Sequence, residues 1–180
     1  LALEKDGTLW AWGSNSFGQL GDSTTINKYY PIQIGSDNDW DFISCGSFNS
    51  LAIKKDGTLW GWGTNYYNEL GDSTSKMKCF PMQIGNDNDW TYVSSGENHT
   101  VAIKSDGTLW AWGCNYYGQL GDSTNTSSVY PEQIGNDHDW IYVCCGRYHT
   151  AAIKYDGTLW LWGNNTYCQL GDSTGLHRNY

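Results

Sequence analysis

Three features of the chain predict an all-β fold of stacked four-stranded sheets. The octapeptide Asp6-Gly7-Thr8-Leu9-Trp10-Ala11-Trp12-Gly13 returns at 56–63, 106–113 and 156–163 with only its sixth residue changing. The spacing is fifty residues throughout, without insertion or deletion, and periods of this length mark solenoids or propellers. Each full period holds four short strand-like segments, the number in one propeller blade. The expectation is an all-β β-propeller of four-stranded antiparallel blades, about three and a half of them, forming one partial propeller over 1–180 with repeats 1–50, 51–100, 101–150 and 151–180.

The first strand of each repeat is Leu1-Ala2-Leu3-Glu4 or its equivalents at 51–54, 101–104 and 151–154, and Asp-Gly folds it back onto Thr-Leu-Trp-x-Trp. A type I′ turn needs positive φ at both central residues, which sets Gly7, Gly57, Gly107 and Gly157 at hairpin tips. Alternation puts Trp10, Trp60, Trp110 and Trp160 on the same face as Trp12, Trp62, Trp112 and Trp162, with leucine and a small or apolar residue on the other. Both faces are apolar, so each hairpin must lie between two further layers of sheet. The tryptophans of the first three repeats are expected to be buried between adjacent blades, opposite Leu9, Leu59 and Leu109. Valine at Gly107 is expected to destabilise, and glutamine at Lys104 is not.

Gly13 to Thr24 and its copies form a structured connection, since Asn, Leu, Gly, Asp, Ser and Thr recur in all four. Residues 25–30, 75–80, 125–130 and 175–180 differ between copies, and variable loops on an invariant scaffold are where specificity resides. Asn27, Lys28, Tyr29, Lys76, Met77, Lys78, Thr126, Ser127 and Ser128 are therefore the candidate partner-binding residues. Pro31, Pro81 and Pro131 each open a short third strand, a position open to proline. The fourth strand is Trp40-Asp41-Phe42-Ile43-Ser44-Cys45 and its equivalents.

Composition narrows the function. With 39% hydrophobic residues, 11 Trp and 13 Tyr, the chain can build a core, and 22 Gly with 3 Pro suit many turns. No run of eighteen apolar residues spans a bilayer and no signal peptide is visible in these residues, so no membrane partner is expected. A formal charge of −9 repels phosphate backbones, which argues against nucleic acid. The six cysteines occupy five repeat columns without C-x-x-C spacing and read as free thiols, consistent with a reducing, cytoplasmic setting.

Candidate chemical groups read as structural. His99 and His149 share a column with Asn49, so the position wants a small hydrogen-bonding group more than a base. Asp22-Ser23 has no base aimed at the serine, and four identical copies do not make one active site. Asp37-Asn38-Asp39 opens like a calcium loop but lacks the glycine at the sixth position and the glutamate at the twelfth. No catalytic residue, metal or cofactor is assigned.

Gly96-Glu97-Asn98-His99-Thr100-Val101-Ala102-Ile103, then Asp106 to Asn115, then Gly118-Gln119-Leu120-Gly121, together resemble the repeat of the regulator of chromosome condensation family. The resemblance covers essentially the whole chain. It implies a β-propeller, typically of seven blades, that serves as a protein-interaction platform. One member of the family is an exchange factor for a small nuclear GTPase that docks on chromatin. That activity depends on an added hairpin that an invariant period does not supply. Another member senses ultraviolet light through tryptophan clusters, but all eleven Trp here fall in three repeat columns, where packing accounts for them. The function expected is a non-catalytic scaffold for a protein partner. The alternatives are a regulator of a small GTPase and a propeller enzyme with a site in the central channel. First and second strands occur four times and third and fourth strands three times, so the 180 residues are expected to belong to a longer array or to self-associate.

Overall fold

The computed structural model describes residues 1–180 as fourteen β-strands and no helix. The strands form four antiparallel sheets. The first holds β1 (Ala2–Leu3), β2 (Leu9–Gly13) and β3 (Lys28–Gln33), and the second β4 (Trp40–Cys45), β5 (Asn49–Lys54), β6 (Leu59–Gly63) and β7 (Lys78–Gln83). The third holds β8 (Trp90–Ser95), β9 (His99–Lys104), β10 (Leu109–Gly113) and β11 (Ser128–Ile134), and the fourth β12 (Trp140–Cys145), β13 (His149–Lys154) and β14 (Leu159–Gly163). These are propeller blades, and each full one begins with the last strand of one sequence repeat. The physical cause is the short 46–48 connection, which lets β4 pair directly with β5, whereas the 34–39 connection crosses to the next sheet. Across blades β4 packs beside β8 and β8 beside β12, so these strands gather at the centre while β3, β7 and β11 form the outer edges.

The core lies between blades. Leu9, Ala11, Leu20 and Ile34 of the first sheet meet Trp40, Ala52 and Trp62 of the second. The same layer repeats with Leu51, Leu59, Leu70 and Ile84 against Trp90, Ala102 and Trp112, and again with Leu109, Leu120 and Ile134 against Trp140, Ala152 and Trp162. Each interface thus joins the leucine face of one blade to the tryptophan face of the next. The central Trp40 sits edge-on to Trp60 and Trp62 at 5.7 and 6.3 Å. Trp62 and Trp112 are wholly buried as expected, but Trp12 is 45% exposed, with no sheet packed against the tryptophan face of the first. Trp10, Trp60 and Trp110 are half-buried, each giving its indole N–H to the Thr8, Thr58 or Thr108 hydroxyl two residues back.

Two local expectations are corrected. The Asp-Gly hairpin forms, and Gly7, Gly57, Gly107 and Gly157 have φ of 87, 80, 79 and 84°, but the aspartates before them are not in the positive-φ region. Gly7 N donates to Glu4 O at 2.9 Å and Glu4 N to Thr8 O at 3.1 Å, the pattern of a type I turn closed by a glycine bulge. The loop is Lys5-Asp6-Gly7, one residue longer than the two-residue reading. The third strand also starts earlier than the proline: Pro31 is the fourth residue of β3. It is tolerated there because β3 is an edge and its pairing with β2 is broken by a bulge between Ala11 and Gly13.

Candidate functional site

Strand direction gives the molecule two faces. One carries the hairpin tips with the 34–39, 84–89 and 134–139 connections, and the other carries the loops from 13–27 and 46–48 onward.

On the tip face one lysine in each of the last three blades is held in place. Lys54 Nζ lies 2.7 Å from Asp37 Oδ2 and 3.1 Å from Asp39 Oδ1, and 4.8 Å from the centres of both the Trp40 and Trp60 rings. Lys104 and Lys154 repeat this with Asp87, Asp89, Asp137 and Asp139. The ammonium thus fills the place that Asp37-Asn38-Asp39 might otherwise offer a cation, and the expectation that Lys104 can be replaced without cost is corrected. Burial lowers the Lys104 pKa, but hydrogen bonds to Asp87 and Asp89 outweigh it and raise it overall. The face gathers the tip aspartates, both aspartates of each connection, Glu4 and Asp41. These are twelve of the nineteen carboxylates, against only Lys5, Lys54, Lys55, Lys104 and Lys154. Most of the net negative charge therefore sits on this side.

On the loop face every connection is built around an asparagine. Asn15 Oδ1 accepts from Leu20 N at 2.9 Å, while its Nδ2 donates to Asp22 Oδ1 at 2.9 Å and Thr24 O at 3.1 Å. The loop is then tied to the next blade: Gln19 O accepts from both Trp62 Nε1 at 2.9 Å and Ser50 Oγ at 2.8 Å. Glu69 O and Gln119 O are used identically by the following blades.

The sequence-nominated residues divide on this frame. Lys28 pairs with Asp22 at 2.9 Å and Lys78 with Asp72 at 2.8 Å. Asn27 and Ser127 accept the N–H of Asn15 and Asn115, at 2.8 and 3.1 Å, a role Met77 cannot fill, and the Ser128 hydroxyl donates to Tyr130 O at 2.8 Å. Lys28, Tyr29, Lys78 and Ser128 belong to edge strands, not loops. Tyr29, Lys76 and Thr126 are exposed with no side-chain hydrogen bond or ion pair. For Asp22, burial raises the carboxyl but hydrogen bonds from Lys28, Thr24 and Asn15 outweigh it and bring it down to about 2.

Missed from sequence was the aromatic surface of the loop face. Phe48, Tyr66, Tyr67, Tyr116 and Tyr167 are exposed there, with Phe17 edge-on to Phe48 at 5.0 Å and Tyr117 against Tyr148 at 5.4 Å. The signal was readable, because columns 17 and 48 are mostly aromatic and lie in loops. Beside it, where the central strands run into the 46–48, 96–98 and 146–148 connections, lies an open cavity of about 520 Å³ lined by Cys45, Phe48, Ser95, Glu97, Cys145 and Arg147. Arg147 reaches across a blade to pair with Glu97, and burial pushes the Cys145 thiol up to about 12. His99 is fully buried beneath. Its Nε2 lies 3.1 Å from Thr150 Oγ1, which itself donates to Gln119 O, so Nε2 carries the proton. Burial, then the nearby His149, hold its pKa down to about 3, making it a neutral packing group at neutral pH.

A family profile described as the RCC1-like domain matches residues 1–179. The chain belongs to this family. RCC1-like relatives include the ultraviolet-B receptor UVR8 of Arabidopsis thaliana, 37% identical over 54 residues, which are 29% of this chain and 12% of that protein. Among solved structures, human WBSCR16 superposes with a TM-score of 0.88 at 22% identity over 99% of this chain and 48% of its own. Yeast RCC1 (Prp20), solved bound to Kap60, gives 0.86 at 21% identity over 98% and 44%. The RCC1-like chain thus spans under half the length of these propellers, which confirm the blade architecture. No helix long and apolar enough to cross a membrane is present.

Proposed function

We propose that this RCC1-like array is a non-catalytic protein-binding module and that the loop face makes the contact. One observation carries the reading: exposed tyrosines and phenylalanines cluster on a face whose loops are locked to the neighbouring blade. Tyrosine brings large contact area at little entropic loss, and a rigid scaffold keeps the association from having to order it. Tyr29, Lys76 and Thr126 extend the contact along the rim. The solved yeast RCC1 bound to Kap60 supports a protein partner as the class of ligand. Asp22 is engaged by Asn15, Thr24 and Lys28, which leaves Ser23 without a base and supports the non-catalytic reading.

The test is affinity capture with crosslinking, comparing Tyr66→Ser/Tyr116→Ser with Tyr155→Ser on the tip face. A partner lost with the first variant and kept with the second is the expected result. Equal retention by both would remove the loop face from the reading. Adding a small GTPase loaded with fluorescent nucleotide tests the regulatory alternative, for which accelerated release is the signature.

A further inference from the structure

The four loop-face turns are built alike, and one of them lacks a part. In three, an aspartate carries a cation from the segment that enters the outer strand. Lys28 Nζ is 2.9 Å from Asp22 Oδ2, and Lys78 Nζ is 2.8 Å from Asp72 Oδ2 and 2.9 Å from Thr74 Oγ1. Arg178 Nη2 is 2.8 Å from Asp172 Oδ2 and 3.4 Å from Thr174 Oγ1. The position is therefore a carboxylate seat, joined in two copies by the threonine hydroxyl, that takes ammonium and guanidinium alike. The third turn has the same Asp122 and Thr124, held the same way by Asn115 Nδ2 at 2.9 Å and Thr124 N at 2.9 Å. But Ser128 stands where the others have a cation, its short hydroxyl turned to Tyr130 O. Asp122 is half-buried and makes no ion pair.

We infer that the Asp122–Thr124 turn is the docking position for a lysine or arginine side chain of a protein partner, resting on the protein-binding reading above. Three filled copies in the same molecule establish what the seat holds. The Asp122 carboxylate, which no cation of the chain neutralises, attracts a cationic group locally. Tyr116, next to Asn115, and Tyr130, whose carbonyl accepts the Ser128 hydroxyl, are exposed and flank the seat in sequence. A charged hydrogen bond to a carboxylate fixed by the loop needs no rearrangement of the site.

The experiment uses the 180-residue chain and needs no partner, so it fails or succeeds independently of the capture assay. N-acetyl-lysine methylamide and N-acetyl-arginine methylamide are titrated while amide shifts of Asp122 and Thr124 are followed by NMR. N-acetyl-norleucine methylamide serves as the uncharged control. Both cationic probes are expected to give saturable shifts at the third turn and none at Asp22, Asp72 or Asp172. Ser128→Lys, which copies the first two blades, should abolish the response, and Lys78→Ser should create one at Asp72. Absence of saturation, equal response at the filled turns, or an unchanged response in Ser128→Lys would each overturn the assignment.

Discussion

At the residue scale, the side chains that mattered most were ones a repeat pattern hides. Lys54, Lys104 and Lys154 read as solvent-facing strand ends, yet each is enclosed by two indole rings and two carboxylates from the preceding connection. Lys104→Met should cost about 1–3 kcal/mol, combining a partly desolvated cation–π pair with two ion pairs to half-exposed aspartates. Urea melts check this, and a loss below about 0.5 kcal/mol would mean the cage is decorative. Because its folded pKa is raised, the lysine's contribution is complete below the unfolded value of 10.5 and fades as pH climbs through the folded one. His99 runs the other way. Burial holds its folded pKa near 3, below the ordinary histidine value of 6.5, so its contribution is present above 6.5 and is lost as pH falls toward 3. Replacing it with asparagine, the residue at its first-repeat equivalent Asn49, should flatten stability against pH between about 6.5 and 4, measured by thermal midpoints across that range. An unchanged slope would show that other groups dominate the acid limb.

At the element scale, the hairpin was legible and its turn was not. Asp-Gly announces a tight turn, but the number of loop residues is decided by how Glu4 and Thr8 pair, which the dipeptide does not encode. Nor does local sequence reveal what the tip touches. Gly107 O accepts from Trp140 N at 3.2 Å, latching the hairpin to the next central strand, and a Cβ at Gly107 would lie 2.2 Å from His138 O. At Gly157 a Cβ would meet nothing within 4 Å. Both glycines have positive φ, so alanine at Gly157 should cost about 1–2 kcal/mol from backbone strain alone. Gly107→Ala adds a clash with backbone and should cost clearly more, and equal losses in paired melts would mean the latch is soft. The tryptophan columns divide by the same logic. Trp62→Ala, emptying a wholly buried site and its bond to Gln19 O, should cost about 3–5 kcal/mol, whereas the half-open Trp12 should cost about 1 kcal/mol or less. Sequence placed both on the inward face correctly, because period-2 alternation fixes the face, but only the neighbouring sheet decides burial.

At the scale of the whole molecule, repetition turns a small bias into a field. Each blade contributes a tip aspartate and the first three an Asp-x-Asp connection on one side, where only five lysines answer them, so the excess carboxylates add up along the array instead of cancelling. The opposite face pairs Asp22, Asp72, Glu97 and Asp172 with Lys28, Lys78, Arg147 and Arg178 and leaves Asp122 without a cation, and it is there that the aromatic groups lie. The total charge was legible from composition, but its placement needed strand direction, since the acidic columns are scattered along each fifty-residue period. Self-repulsion on the tip face disfavours the compact state, and salt screens it over a Debye length of about 8 Å at physiological ionic strength. The lysine ion pairs are screened too, but they are partly enclosed and outnumbered. Raising NaCl from about 0.02 to 0.3 M should therefore lift the thermal midpoint by about 2–4 °C, the equivalent of roughly 1 kcal/mol for a chain of this size. A midpoint that falls with salt would mean the caged lysines outweigh the repulsion around them, and the acidic side would then be a stabilising network and not a tolerated excess.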